Sequence, residues 1–530
     1  SFFFLFFFFF LELHHFASSM ACAKMGTDGS PLEPRRISRS GYLCSADLDD
    51  LHPHMMYGAL MSSFDVLRQS IRDVFPAVVS VRLVLVLLLL PVLSIMFPLV
   101  VVERFLEISA LLIVVAETSF LVWLHILRSR LNVVKPLAQR LQPEKALDIF
   151  QRTLTQVDQC AKWSIGRTPT EWLEGWFKKA PMASIKRGNV QEFFAWAFYS
   201  KYVSELDEDE ERELEGMIKE CERRYAWCFQ EGYTSSVEPM RINFDPIQAW
   251  YHPLWYYAAI LGLRFATRSA MQLMGFTRCK TGQLSYFHRP SPAHPGLLVE
   301  GGKPVPPSED SPVVLIHGLG VGITPYLRFI RMLGRSRECF VIELPEISQA
   351  CCELVLTPKE MADSVSQMLK AHGHDKAVFL AHSYGTFVMS WVLHFRRQIV
   401  AKTVLLDPVA LLLAQPDVAY NFLYRHPDNP MLKVVANFVR WELFSAHVLM
   451  RHFYWHQNVL WKENLPPDSL VVMSSHDDIC NAHYVRRYLE DHQRQGQDQL
   501  QLLWLEGFFH GGFLLSSAAQ IQVLGLLKLP

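Results

Sequence analysis

The chain has no surplus of charge of either sign: in 530 residues, Lys plus Arg number 51 and Asp plus Glu 52. Nucleic-acid binding normally leaves a basic face or stripe, so no nucleic-acid partner is expected. There is no cysteine framework either. The ten cysteines are scattered, with Cys351-Cys352 the one close pair, a usage that fits reduced thiols on the cytosolic side better than a stapled secreted scaffold. His452 and His456 stand four apart, as two metal ligands on one helix would, but no third His or acid accompanies them. No metal or cofactor is therefore expected. No internal repeat is evident.

What the chain has is apolar surface, half of its residues being hydrophobic. The opening Ser1–Phe10 is almost all Phe, too short to span a bilayer and without a small-residue cleavage site, so it reads as an upstream artefact with Met20 or Met25 as the start. Ala21–Ser45, rich in Gly, Ser, Pro and Arg, reads as a disordered tail. Leu83–Val102 is an uncharged run long enough to cross a bilayer, and Ile108–Leu127 is a second, broken only by Glu117. The aliphatic residues and Phe of the second run favour insertion by roughly 4–7 kcal/mol, against about 2.5–3.5 for one central acid. Five residues, Glu103–Glu107, separate the runs, which predicts a transmembrane helical hairpin. Pro91 and Pro98 leave open a re-entrant one. Arg72 and Arg82 before it, with Arg128, Arg130 and Lys135 after it, place both ends, and the rest of the chain, on the cytosolic side. The lipid bilayer is the expected partner.

From Leu131 to Ser285 the pattern is helical, with apolar spacings of three and four over Gln142–Cys160 and Pro169–Lys179. Ile185–Tyr199 is strongly aromatic, and the acidic run Glu205–Glu215 reads as a solvated face. The cluster Trp250, Tyr251, Trp255, Tyr256 and Tyr257 admits two readings, a membrane-lying segment or core packing.

After Ser311 the texture changes to short β-branched runs alternating with helices, as in a parallel sheet covered on both faces. The candidate strands are Pro312–His317, Cys339–Leu344, Lys376–His382, Ala401–Asp407, Leu470–Ser474 and Gln499–Leu505. The third leads into Ala381-His-Ser-Tyr-Gly385 and then a helical run. This resembles the G-x-S-x-G nucleophile elbow, with Ala in place of the first Gly, where small residues let a serine sit on a strained strand-to-helix turn. His317-Gly-Leu-Gly320 ends the first strand, Asp477 and Asp478 follow the fifth, and His510 follows the sixth.

On these motifs the segment from Val313 onward resembles the AB-hydrolase-1 group of the α/β-hydrolase superfamily. Gly320-Val-Gly-Ile-Thr-Pro-Tyr326, Glu343-Leu-Pro-Glu346 and Asn421-Phe-Leu-Tyr-Arg425 resemble a membrane-tethered branch of it. The resemblance implies Ser383 as nucleophile, His510 as general base and Asp477 as the acid, in the chain order that fold uses. Asp477 is favoured because Asp477-Asp-Ile-Cys480 aligns with the family pattern; Asp478 and Asp407, the latter at the fold's other position for an acid, remain alternatives. The oxyanion would be held by the backbone N–H groups of Leu319 and Tyr384, with Gly318, Gly320 and Gly385 allowing the turns and His317 structural. The insertion between Pro408 and Pro467, rich in aromatics, occupies the place of a lid and suits a lipophilic ester.

The expected organisation is an N-terminal tail over 1–70, a membrane hairpin over 71–130, a helical region over 131–285 and an α/β-hydrolase domain over 286–530 with its lid at 408–467. The expected activity is that of a membrane-anchored serine esterase or lipase. Transfer of the acyl group to another alcohol, and a non-catalytic membrane scaffold, are the alternatives.

Overall fold

Continuous aliphatic runs become the inner strands of a single eight-stranded sheet. The structure is a computed structural model that describes residues 85, 99–134, 143–163, 166–291, 311–428, 430–494 and 500–527. The strands are β1 (Thr277–Thr281), β2 (Leu284–Arg289), β3 (Val313–Ile316), β4 (Cys339–Glu343), β5 (Ala377–His382), β6 (Val400–Leu406), β7 (Leu470–His476) and β8 (Gln501–Phe509). Their order across the sheet is β1-β2-β4-β3-β5-β6-β7-β8. From β4 through β8 the neighbours run parallel, and β2 joins β4 antiparallel. Every residue of β3 and β5 is buried, as strands covered on both faces must be.

The six strands expected from the sequence are present. The hairpin of β1 and β2 was not expected, and it moves the start of the sheet to Thr277, inside the region read as helical. Thr277-Arg-Cys-Lys-Thr281 lacks an apolar face because β1 is the exposed edge, where pairing on one side suffices. The available signal was Gly282 in the tight turn, with φ at 58°, ahead of the buried Leu284, Tyr286 and Phe287.

Helices Leu327–Ser336, Pro358–Ala371, Gly385–Phe395 and Ala482–Arg494 provide the crossovers between parallel strands. Local chemistry fixes where the second of them begins. Thr357 and Glu360 exchange backbone N–H bonds as a capping box, with Pro358 in the first turn, which satisfies donors the helix itself leaves unpaired.

The segment from Leu121 onward forms one compact unit, and the described residues before it belong to a second. Helix Leu99–Leu131 runs unbroken for 33 residues, so Glu103–Glu107, expected as the turn of a hairpin, is helical. Nothing in those five residues breaks a helix, and Arg104 pairs with Glu107 one turn on. Leu106–Leu131 is long and apolar enough to cross a membrane by length and composition. The N-terminal tail and most of the first apolar run lie outside the described residues.

The helices upstream of the sheet pack on the segment between β6 and β7. Trp172 and Trp176 both donate to the Ala414 carbonyl, at 2.9 and 3.2 Å. Arg167 grips Asp417 with two bonds of 2.7 and 2.8 Å, and Trp455 donates to Ala197 at 2.7 Å. Trp250 stacks on Trp441 with ring centres 4.4 Å apart. The aromatic stretch Arg187–Tyr199 is core, with Phe193, Phe194, Trp196 and Phe198 buried. The acidic run begins helix Glu208–Tyr225 and is mostly solvated, but Glu210 is buried against the Lys201 ammonium. Of the second aromatic cluster, Tyr256 and Tyr257 are core, while Trp250, Tyr251 and Trp255 are exposed.

Arg451, buried at the end of helix Leu443–Arg451, binds these layers together. It donates to the Asn132 backbone and side-chain oxygens and to the Asp245 carbonyl, each at 2.8 Å. A hydrogen bond made by a charged group contributes roughly 1.5–3 kcal/mol. Arg451→Met is therefore expected to lower unfolding stability by at least about 2 kcal/mol. Chemical denaturation of the detergent-solubilised protein checks this, and an unchanged midpoint would refute the role.

Candidate active site

β5 ends at His382, and the chain must turn at once into helix Gly385–Phe395. Ser383 makes that turn with φ at 51°, a conformation that costs a side-chain-bearing residue energy and persists only where its surroundings impose it. They do so by contact. A Cβ on Gly385 would lie 2.5 Å from the Ile316 carbonyl, and one on Gly318 would lie 2.9 Å from the Ser383 Cβ. The Ser383 N–H is held by Leu406 at 3.0 Å, and the Thr386 hydroxyl donates to the Ser383 carbonyl at 2.7 Å.

Three side chains from three strand ends meet here. His510, after β8, places Nε2 2.8 Å from the Ser383 Oγ and Nδ1 2.7 Å from the Asp477 Oδ2. Asp477, after β7, has its other oxygen occupied by the N–H groups of Ile479 and Cys480, at 2.8 and 3.0 Å, and the Cys480 thiol lies 3.2 Å from Oδ2. The carboxylate is thereby fixed with one oxygen facing the imidazole.

The two alternative acids are placed differently. Asp407, after β6, is buried and accepts from the Ser474 N–H at 2.8 Å and the Gly511 N–H at 2.7 Å. It ties β7 to the residue following His510 and makes no hydrogen bond with the imidazole, although its carboxylate, one from Asp477 and a His510 nitrogen lie within 4.8 Å of one another. Asp478 makes no bond to His510, and burial raises its carboxyl above the usual range.

The electrostatics of the imidazole are a contest between burial, which disfavours the cation, and the Asp477 carboxylate, with Asp407 and Asp478 behind it. The carboxylates win, and His510 is raised to about 9. Burial pushes Asp477 up, but the facing imidazole and the bonds it accepts hold it below its ordinary value. Asp407, with burial dominant, rises to about 6.

The loop His317–Gly320 lies against this turn. The Gly318 N–H donates to the Tyr326 hydroxyl at 2.8 Å, and the Gly320 N–H to Ile347 at 3.1 Å. Between them, the Leu319 N–H has no acceptor among the described residues, and neither has that of Tyr384 after the serine. His317 is structural: Nδ1–H donates to the Gly318 carbonyl and Nε2 accepts from the Leu344 N–H, while burial lowers it to about 4 and keeps it neutral.

Sequence reasoning did not find Tyr326 and His382. The Tyr326 hydroxyl, which accepts from Gly318, reaches the His382 Nδ1 at 2.5 Å. It thus couples the glycine loop to the residue before Ser383. Burial holds His382 well below its ordinary value, so it stays neutral. Both residues lie within motifs already noted, but only proximity in space reveals the pairing. The pair His452 and His456 does not share a helix: Leu443–Arg451 ends before His452, and His456 lies in the next short helix, Trp455–Asn458.

The His510 imidazole is expected to titrate near 9, and Asp477→Asn to lower that value. The neutral amide removes the leading attraction for the proton, while burial still penalises the cation. Histidine-selective NMR titration of both proteins checks this, and the same titration in the variant would contradict the assignment.

Residues 311–486 match the family described as alpha/beta hydrolase fold. No curated protein matches the chain. Among solved structures, similarity extends to a bacterial membrane phospholipase A described as a virulence factor (14% identity, 52% of this chain and 93% of that one, TM-score 0.35). It extends likewise to a putative lipase from Acinetobacter baumannii AYE (13%, 50% and 96%, TM-score 0.36) and to carboxylesterase CesB from Bacillus subtilis (13%, 51% and 98%, TM-score 0.33). Residues 311–486 thus match the α/β-hydrolase superfamily, and the mostly parallel sheet that contains them has the α/β-hydrolase fold.

Proposed function

We propose that this chain is a membrane-anchored serine hydrolase that cleaves a carboxylic, lipid-type acyl ester through a covalent acyl-enzyme. The observation that carries the reading is the unbroken chain of hydrogen bonds from the Ser383 Oγ through His510 to Asp477, at 2.8 and 2.7 Å. Ser383 attacks the ester carbonyl as His510 takes its proton, and Asp477 stabilises the imidazolium and fixes its orientation. The N–H groups of Leu319 and Tyr384 hold the oxyanion, a task for donors not already spent on the protein. His510 returns the proton to the departing alcohol and then activates water to release the acid.

The lipophilic substrate is supported by the apolar surroundings of the nucleophile. The Tyr384 ring meets Phe387 at 5.4 Å, and Phe387 meets Phe453 of the lid segment at 5.1 Å. Membrane anchoring is supported by the apolar helix Leu106–Leu131 and by where it ends. Arg128 donates to the Ile247 carbonyl, and the Ile247 N–H donates to the Asn132 side chain at 2.8 Å. That contact leads into helix Leu254–Leu273, whose outer face exposes Leu261, Phe265 and Leu273. A helix with one buried side and one exposed apolar side suits the plane of a bilayer surface. Cytosolic placement rests on the basic residues flanking the apolar runs.

A fluorophosphonate probe is expected to label the folded protein at Ser383, with labelling abolished in Ser383→Ala. Absence of labelling in the native protein would refute the enzyme reading, and labelling that survives the substitution would refute the nucleophile. Among single replacements, Asp477→Asn is expected to lower kcat by about 10⁴-fold in a p-nitrophenyl ester assay. Asp478→Asn should leave kcat nearly unchanged. Asp407→Asn should shift the alkaline-rising limb of the pH profile downward, because one negative charge near the base is gone. An equal loss of kcat at all three positions would remove Asp477 from its assigned role.

A further inference from the structure

At the edge of the sheet remote from Ser383, four side chains from three separated segments converge. His288 comes from β2, Glu338 immediately precedes β4, and His372 and His374 sit in the turn between helix Pro358–Ala371 and β5. Ser383 follows the C-terminal end of β5, whereas this group lies where β4 and β5 begin, so it is no part of the site already described.

The His288 Nε2 lies 2.8 Å from one Glu338 oxygen, and the His374 Nε2 lies 3.1 Å from the other. The His288 and His372 rings are 4.1 Å apart between centres. One ligand atom each from His288, Glu338 and His372 lie within 4.8 Å of one another. Phe340 forms the floor: the His288 ring stacks on it at 4.7 Å, and His372 and His374 meet its edge at 5.0 and 6.1 Å. The Tyr286 hydroxyl holds the Nε2 of His372 at 2.9 Å and is itself 3.2 Å from the Thr281 hydroxyl.

We propose that His288, Glu338, His372 and His374 form a structural binding site for a divalent zinc-type ion. Three imidazoles and one carboxylate are a ligand set for zinc, which bonds nitrogen and oxygen at about 2.0–2.2 Å in a tetrahedral arrangement. Ligand atoms of such an ion stand roughly 3.3–3.5 Å apart by that geometry; those of His288, Glu338 and His372 lie within 4.8 Å of one another, and His374 Nε2 is 3.1 Å from Glu338. With Nε2 of His372 engaged by Tyr286, Nδ1 is left for the ion, the orienting hydrogen bond that metal-bound histidines generally make.

Hydrogen bonding alone accounts for less of this. Glu338 is hydrogen-bonded by His288 alone, the buried His374 Nε2 beside it lacks a hydrogen-bond partner, and the His372 ring stands 4.1 Å from that of His288. The ion would fasten the β1–β2 hairpin, which joins the sheet through β2 alone, to β4 and to the turn before β5.

The test is titration of the full-length, detergent-solubilised and chelator-dialysed protein with Zn²⁺, followed by calorimetry, elemental analysis and thermal unfolding. One equivalent is expected to bind and to raise Tm, since a ligand that binds only the folded state stabilises it. His372→Gln and His374→Gln should each weaken zinc binding by at least about tenfold, and His510→Gln should not, which separates this site from the Asp407, Asp477 and His510 group. No saturable binding by the native protein, or binding unaffected by His372→Gln and His374→Gln together, would overturn the proposal. So would its loss in His510→Gln. If the histidine variants fail to fold, cobalt loading of the native protein decides the matter: tetrahedral visible absorption bands support the site and their absence overturns it.

Discussion

The left-handed backbone of Ser383 is the constraint around which the C-terminal part of the chain is arranged. A serine at φ 51° is stable only if the strand before it and the helix after it are both held, because the turn has no slack of its own. The neighbouring parallel strands hold β5, and the burial of nearly every side chain in Gly385–Phe395 holds the helix. The helix can come this close only because position 385 has no Cβ to meet the Ile316 carbonyl. The Ala in place of the first glycine of the motif is accommodated because Ala381 still lies in the strand and pairs normally with Ile316.

A second constraint is the charge around His510. Three carboxylates lie near one imidazole, and they divide the work by what else they bind. Asp477 has one oxygen fixed by two backbone N–H groups and turns the other to the ring. Asp407 is occupied by Ser474 and Gly511 and acts on the ring through its field and through the backbone next to it. Position in the fold would allow either acid, and the hydrogen-bond partners distinguish them.

The helical region ahead of the sheet clasps the segment between β6 and β7. Indole N–H groups donate to main-chain carbonyls across the junction, and Arg167 and Arg451 add charged hydrogen bonds to Asp417 and Asn132. Buried polar contacts of this kind hold the two segments in one arrangement.

The sequence by itself determined the parallel strands, because strands buried on both faces must be continuously apolar and are punctuated by the helices that cross between them. It also determined the elbow, because a strained turn tolerates few residue types and Ala381-His-Ser-Tyr-Gly385 has them. The edge hairpin β1–β2 was not legible: an exposed edge strand needs no apolar pattern. A continuous helix through Glu103–Glu107 was not legible either, since a charged pentapeptide between two apolar runs reads equally as turn or as helix. The tertiary structure alone decided which carboxylate faces His510, which backbone N–H groups remain unspent, and that His288, Glu338, His372 and His374 share one corner. Each of these depends on residues far apart in the chain, and their spacing in sequence carries no record of the distance between them in space.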